Sequence, residues 1–205
     1  MRQQQIAIID YGAGNTRSVG FALERLGVDY VLTDNAEVIR RADKVIFPGV
    51  GEAGSAMRKL KERNLHRIIP DLKQPVLGIC LGMQLMCTHS EEGDTIGLSI
   101  LPIPVKRFNS DLKVPHMGWN RLGDLKGKLF TGIQAGSYAY FVHSFYVPMN
   151  SYMAATTSYG LSFSAALQVN NFYAVQFHPE KSGDTGQTIL RNFIQIEGGE
   201  VTKMN

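Results

Sequence analysis

The sequence predicts an α/β protein: a three-layer arrangement with a mixed, mainly parallel central sheet, and a small antiparallel sheet in the second half of the chain. Three observations carry this. Short unbroken apolar runs, Ile6–Ile9, Val45–Phe47 and Val76–Leu77, have the composition of strands buried on both faces. Amphipathic segments of helical period separate them, and strand-helix alternation implies parallel strands with helices on either side. From about Ile96 the texture changes to short β-like pieces with turn residues between them, which reads as antiparallel.

Ile6–Ile9 is the first strand, and it ends at Asp10-Tyr11-Gly12-Ala13-Gly14-Asn15. The segment after it carries Val19, Phe21, Ala22, Leu23 and Leu26, the apolar face of a helix that Gly27 stops. A strand near Tyr30-Val31-Leu32, a short helix after Asp34, and the strand Val45–Phe47 follow. The turn Pro48-Gly49-Val50-Gly51 leads into a helix through about Lys61, and Val76–Leu77 is the next strand. In the second half, strands are expected at Ile103 to Phe108 and Val114 to Leu122, joined by a hairpin turn at Asn109-Ser110-Asp111. Tyr138–Val142, Tyr152–Ala155, Ser164–Val169 and Tyr173–Phe177 continue the series, and a closing helix runs from about Gly186 through Phe193. The loops after the parallel strands gather at one edge of the sheet, where open α/β sheets place their chemistry.

A chain of 205 residues, 44% of them hydrophobic, is long enough for one sizeable core, and one domain over residues 1–205 is expected. The net charge of +3 is dispersed; the densest basic group, Arg58-Lys59-Leu60-Lys61, reads as the solvated face of a helix, so no nucleic-acid footprint is indicated. No apolar run has spanning length and no apolar signal core follows Met1, so a membrane role is not supported. The two cysteines, Cys80 and Cys87, read as lying on one continuous helix about two turns apart, a spacing that a disulfide does not easily bridge. A reduced, cytoplasmic setting is the expectation.

Chemistry concentrates at Pro75-Val76-Leu77-Gly78-Ile79-Cys80-Leu81-Gly82-Met83-Gln84, where an apolar strand meets a helix through a cysteine flanked by glycine two residues to either side. This is a nucleophile-elbow pattern: the turn is so sharp that the neighbouring positions must lack a Cβ. The helix N-terminus just past Cys80 offers unpaired N–H groups and partial positive charge, a setting for a thiolate and an oxyanion. A base must project from a strand end on the same edge, and His178 ends a strand. Glu180, held two residues on across Pro179, can bond one imidazole nitrogen as the third member of a triad. Pro48-Gly49-Val50-Gly51 again follows a strand; glycines around Val50 allow a backbone N–H to turn toward the pocket, with the Leu81 N–H as second oxyanion donor.

These three motifs, in this order and at these separations, resemble the triad-type (class I) glutamine amidotransferases over almost the whole chain. Within that class, Asp10–Asn15, Pro115-His116-Met117-Gly118-Trp119-Asn120, Tyr140-Phe141-Val142-His143-Ser144 and His178–Ser182 look like the glutaminase subunits of imidazole glycerol phosphate synthase, of histidine biosynthesis. The resemblance implies a class I glutamine amidotransferase fold, flavodoxin-like in its layers. It implies that the Cys80 thiolate attacks L-glutamine and that no cofactor or metal is needed. Gln84, His143 and Ser144 become the glutamine-binding positions. Ammonia would pass to a separate (βα)8-barrel cyclase subunit that forms a heterodimer with this chain, for which Asn15, Met117, Trp119, Asn120, Tyr140 and Lys181 are the interface candidates. Glutaminase activity would stay low until that partner and its nucleotide are bound, with the Gly49-Val50 peptide as the switch.

Two other classes fit parts of the pattern. A thiol peptidase or esterase would show the same elbow, base and oxyanion loop, and substrate profiling separates it. A nucleotide-binding module using Gly12-Ala13-Gly14 lacks both a third glycine at the fingerprint spacing and a Walker lysine. A metal site of Cys80, His178 and Glu180 lacks a further ligand at suitable spacing.

Overall fold

The computed structural model describes residues 4–12, 14–108, 111 and 113–197. Strands β1 (Ile6–Ile9), β2 (Tyr30–Thr33), β3 (Lys44–Gly49) and β4 (Val76–Cys80) alternate with helices α1 (Thr16–Arg25), α2 (Ala36–Arg41), α3 (Ala53–Glu62) and the short α4 (Leu65–Ile68). A five-residue helix α5 (Leu81–Leu85) follows β4 directly. The second half contributes β5 (Cys87–Ser90), β6 (Thr95–Ile96), β7 (Leu101–Arg107), β8 (His116–Arg121), β9 (Tyr138–His143), β10 (Phe145–Tyr146), β11 (Met153–Tyr159), β12 (Leu161–Val169), β13 (Phe172–Val175) and α6 (Gly183–Gln195).

The main sheet has seven strands in the order β11-β12-β13-β4-β3-β1-β2. The run from β13 to β2 is parallel throughout, and β12 pairs antiparallel with both of its neighbours. Alternation along each strand divides the core in two. Ala7 and Ile9, with Val45 and Phe47, face the side covered by Ala53, Ala56, Met57 and Leu60 of α3. Ile6 and Ile8, with Ile46 and Leu77, face the side covered by α1 and α6 through Val19, Leu23, Ile189 and Phe193. Strands apolar at every position are what two covered faces demand, which is why the unbroken runs were legible as parallel strands. Asn35 caps α2 by accepting from the Glu37 and Val38 N–H groups, and Gly27, at φ 70, ends α1.

Two expectations are corrected. The strands near Ile103 and Val114 do not form a hairpin with each other: β7 pairs with β5 and β10 in a four-stranded sheet, and β8 pairs with β9 in a separate two-stranded one. The proposed turn falls partly on Asn109 and Ser110, outside the described residues. Cys80 and Cys87 do not share a helix either; Cys80 ends β4 and Cys87 opens β5, and both are free thiols. Among the described residues no helix is long and apolar enough to cross a membrane.

Candidate active site

The parallel register brings the ends of three strands together. Gly49, last in β3, pairs with Cys80, last in β4, and on the other side Val175 pairs with Ile79, so that Gln176 follows on beside Cys80. Cys80 itself sits at φ 53 and ψ −107, outside the regions a side chain ordinarily occupies. The elbow exists because its flanks are bare: a Cβ on Gly82 would lie 1.9 Å from the Phe47 carbonyl oxygen, and one on Gly78 would meet Met86 Sδ at 2.9 Å. Helix α5 thereby starts at Cys80, with Leu81 as its first residue.

His178 follows β13 in an extended conformation, φ −100 and ψ 96, as a residue before proline prefers. Its N–H donates to the Tyr140 carbonyl at 2.9 Å, and its own carbonyl accepts from Ser182 Oγ at 2.7 Å. The ring is thus clamped at both ends of its backbone. Nδ1 lies 2.8 Å from Glu180 Oε1, with both side chains buried. The same Glu180 oxygen accepts from Asn15 Nδ2 at 3.3 Å. Nε2 is buried without a well-formed hydrogen bond, on the side facing Cys80. Burial works against an imidazolium here, but Cys80 and Glu180 together outweigh it and push the pKa of His178 up to about 10. Tyr11, buried behind the elbow, has its phenol pKa raised first by burial and then by Cys80, and its hydroxyl donates to the Pro48 carbonyl at 3.1 Å, tying down the end of β3.

Cys80 and His178 open into a cleft of about 250 Å³. Val50, Gly51, Leu81, Gln84, His143 and Ser144, all expected at the site, line it; Gly49 and Glu180 stand behind that surface. Gly51 has φ +96, the backbone freedom that a turning loop needs. Glu92 also lines the cleft, a residue the sequence reading missed because it opens a short 3-10 turn outside every motif. Burial raises its carboxyl above the ordinary range, against the opposing effect of the Ala53 N–H, which donates to it at 2.9 Å.

Beneath the cleft runs a chain of buried polar side chains. Gln84 Nε2 donates to the Phe145 carbonyl at 3.0 Å and to Gln176 Oε1 at 3.0 Å, and Gln176 Nε2 lies 3.7 Å from Cys80 Sγ. The Phe145 carbonyl also lies 2.7 Å from His143 Nδ1; His143 Nε2 lies 3.0 Å from His116 Nδ1, and His116 Nε2 is 3.2 Å from Asn120 Nδ2. Both ring nitrogens of His143 are therefore committed inside the protein. Burial pushes the pKa of His143 down to about 3 and that of His116 down to about 4.

The expected interface residues separate into two groups. Met117 and Trp119 project from the outer face of β8, 63% and 56% exposed, beside Tyr138, which is 47% exposed and was not foreseen. Trp119 meets Tyr140 edge-on at 5.9 Å between ring centroids, and the Lys181 ammonium lies over the Tyr140 ring. Asn120 and Asn15 instead turn inward, to His116 and to Glu180. Among the described residues no group of three or more His, Cys, Asp or Glu side chains could hold a metal ion.

A buried His–Glu pair facing a cysteine on a strand-to-helix elbow, at the carboxyl edge of a parallel sheet, defines a thiol-dependent enzyme of the triad kind. The sequence model of the family described as "Glutamine amidotransferase class-I" matches residues 7–196. The curated "Imidazole glycerol phosphate synthase subunit HisH" of Bacteroides thetaiotaomicron is 56% identical over 195 residues, covering 94% of this chain and all of that protein. The protein of the same description from Idiomarina loihiensis is 47% identical over 192 residues, covering 93% of this chain and 97% of the other. In fold, the chain is similar to a crystal structure described as that of glutamine amidotransferase, with a TM-score of 0.73 at 17% identity, covering 93% of this chain and 97% of that one. The chain belongs to the class I glutamine amidotransferases and, within them, to the HisH subunits of imidazole glycerol phosphate synthase.

Proposed function

We propose that this chain hydrolyses L-glutamine at Cys80 and passes the ammonia to a cyclase partner in histidine biosynthesis. The observation that carries the proposal is the 2.8 Å His178–Glu180 pair set against Cys80 at the foot of a cleft of amino-acid size. The Cys80 thiolate attacks the carboxamide carbon, forming the C–S bond, and the oxyanion is held by the Leu81 N–H and by backbone of the Gly49-Val50-Gly51 loop. His178, protonated at Nε2, gives that proton to the amide nitrogen as the C–N bond breaks and ammonia leaves. It then takes a proton from water as the oxygen attacks the thioester carbon; the C–S bond breaks, glutamate leaves, and the Cys80 thiolate is restored beside protonated His178. Glu180 Oε1 accepts from the protonated Nδ1 and so fixes which nitrogen faces the sulfur.

Glutamine fits the cleft by charge: Glu92 supplies a carboxylate for its ammonium, and Ser144 a polar edge for its carboxylate. Gln84 has both amide hydrogens spent on Phe145 and Gln176, so its free contribution to substrate is through Oε1. His143 supports the floor rather than the substrate, because its ring has no free nitrogen.

The (βα)8-barrel cyclase, as heterodimer partner, would seat on the exposed aromatic edge formed by Met117, Trp119, Tyr138 and Tyr140 with Lys181. Large aromatic side chains at a rim are the anchors interfaces favour. The barrel would combine the ammonia with a phosphoribulosyl-formimino aminoimidazole carboxamide ribonucleotide, in the cytoplasm. Glutamate release is measured for the chain alone, with the cyclase and its nucleotide, and for Cys80→Ala in each mixture. Stimulation by the partner, lost in the variant, is the expected result; equal turnover in variant and wild type removes the proposal.

A further inference from the structure

We infer that Gln176 is a second functional group on the nucleophile: its side-chain amide donates a hydrogen bond to Cys80 Sγ and stabilises the thiolate. This goes beyond the triad and rests on the reading of Cys80 as the attacking atom.

The direction of the bond follows by elimination along the buried chain. A carbonyl only accepts, so the Phe145 oxygen requires the nitrogen end of Gln84 and the protonated Nδ1 of His143. The second N–H of Gln84 then meets Gln176 and requires its oxygen, at 3.0 Å. With Oε1 placed there, the Nε2 end of Gln176 is the one that lies 3.7 Å from Cys80 Sγ. The other branch agrees: a neutral His143 with its proton on Nδ1 accepts at Nε2 from His116, whose Nε2 accepts from the Asn120 amide. Every member has one consistent role, and the amide of Gln176 cannot reverse without breaking its bond to Gln84.

The sulfur has a second neighbour that separates its two charge states. A thiol can donate to the Val142 carbonyl, 3.8 Å away, and a thiolate cannot. Gln176 does the opposite: fully buried and carrying only donors toward the sulfur, it interacts more strongly when charge resides there. The titratable groups near the sulfur are His178 with Glu180 behind it, Tyr11 behind the elbow, and His143 and Glu92 along the cleft. Gln176 is neutral, so replacing it by leucine leaves that set of charges intact.

The test is the pH profile of iodoacetamide alkylation, read by mass on the Cys80 peptide, for wild type, Gln176→Leu and Gln176→Glu. Cys87 is fully buried, with its pKa pushed up to about 12, so its peptide stays unlabelled while the protein is folded and serves as the internal control. Loss of one hydrogen bond to a charged sulfur is expected to slow Cys80 alkylation at pH 7 about tenfold and to move the profile to higher pH by about one unit. The glutamate variant keeps the acceptor that Gln84 needs but turns an oxygen toward the sulfur, and its drop is larger. Should the leucine variant label at Cys87, Gln176→Met, of similar length and likewise uncharged, carries the test. A folded variant with the wild-type alkylation profile overturns the inference, and it does so without touching the glutaminase reading, which wild-type glutamate release tests separately. A purely structural Gln176 would lower the melting temperature and leave that profile in place.

Discussion

Folding places two imidazoles, His116 and His143, in a buried 3.0 Å pair, and this makes the protein acid-sensitive in a calculable way. In the unfolded chain both bind a proton near the ordinary histidine value of 6.5; in the fold they stay neutral down to about 4 and about 3. Between those limits the unfolded chain holds more protons. The pair's contribution to stability is therefore full above pH 6.5, is lost as pH drops through that value, and stops changing once both folded sites are protonated. Going from pH 7 to pH 5 costs about 2 kcal/mol per imidazole and about 4 kcal/mol for the pair, because over this range only the unfolded chain takes up protons and its two sites are independent. Urea unfolding at both pH values reads this directly. A His116→Gln, His143→Gln double variant has no proton to take up there. It starts less stable at pH 7 and is expected to lose about 4 kcal/mol less than wild type on acidification. If both proteins lose the same amount, the buried pair is not the acid-sensitive element and its assigned neutrality is wrong.

Gly82→Ala would drive a Cβ to 1.9 Å from the Phe47 oxygen, and backbone cannot yield as a side-chain tip does. Destabilisation of about 3 kcal/mol is expected, lowering the melting temperature by about 6–12 °C. Gly51→Ala meets no atom within 4 Å and is strained only by its φ of +96, so thermal unfolding should show a smaller loss, about 1–2 kcal/mol. Glu180→Gln replaces the acceptor for the His178 Nδ1 proton; kcat for glutamine hydrolysis should fall about 100-fold or more, with an unaltered melting temperature excluding misfolding as the cause. Trp119→Ala, measured by titration calorimetry against the cyclase, should weaken association by about 2 kcal/mol while leaving the melting temperature of the free chain unchanged.

Local signals were read where they were sufficient. Buried parallel strands announce themselves as unbroken apolar runs, and the elbow, the His-Pro-Glu turn and the Pro-Gly loop are each a few adjacent residues whose geometry their own chemistry imposes. What stayed hidden was set by register between distant strands. Past Gly82, the stretch Met83–Ser90 contains no glycine or proline to mark where α5 stops after five residues, so the change to β5 had no local sign. The strand at His116 pairs with Tyr138–His143 rather than with the strand before it, a register that puts His116 opposite His143 with both rings buried. Gln176 carried one available signal, a polar residue inside the apolar run Tyr173–Phe177, two positions before His178. Its neighbour, however, is fixed by β13 lying beside β4, which no local pattern reveals.

The central claim is that Cys80 forms a covalent bond to the glutamyl group during turnover. Acid-quenched mass spectrometry of the chain, mixed with the cyclase, its nucleotide and glutamine, tests it most directly. The account predicts a glutamyl thioester on the Cys80 peptide that appears with turnover and is absent from Cys80→Ala. Steady glutamate release with no adduct on that peptide, or from the alanine variant, would contradict it.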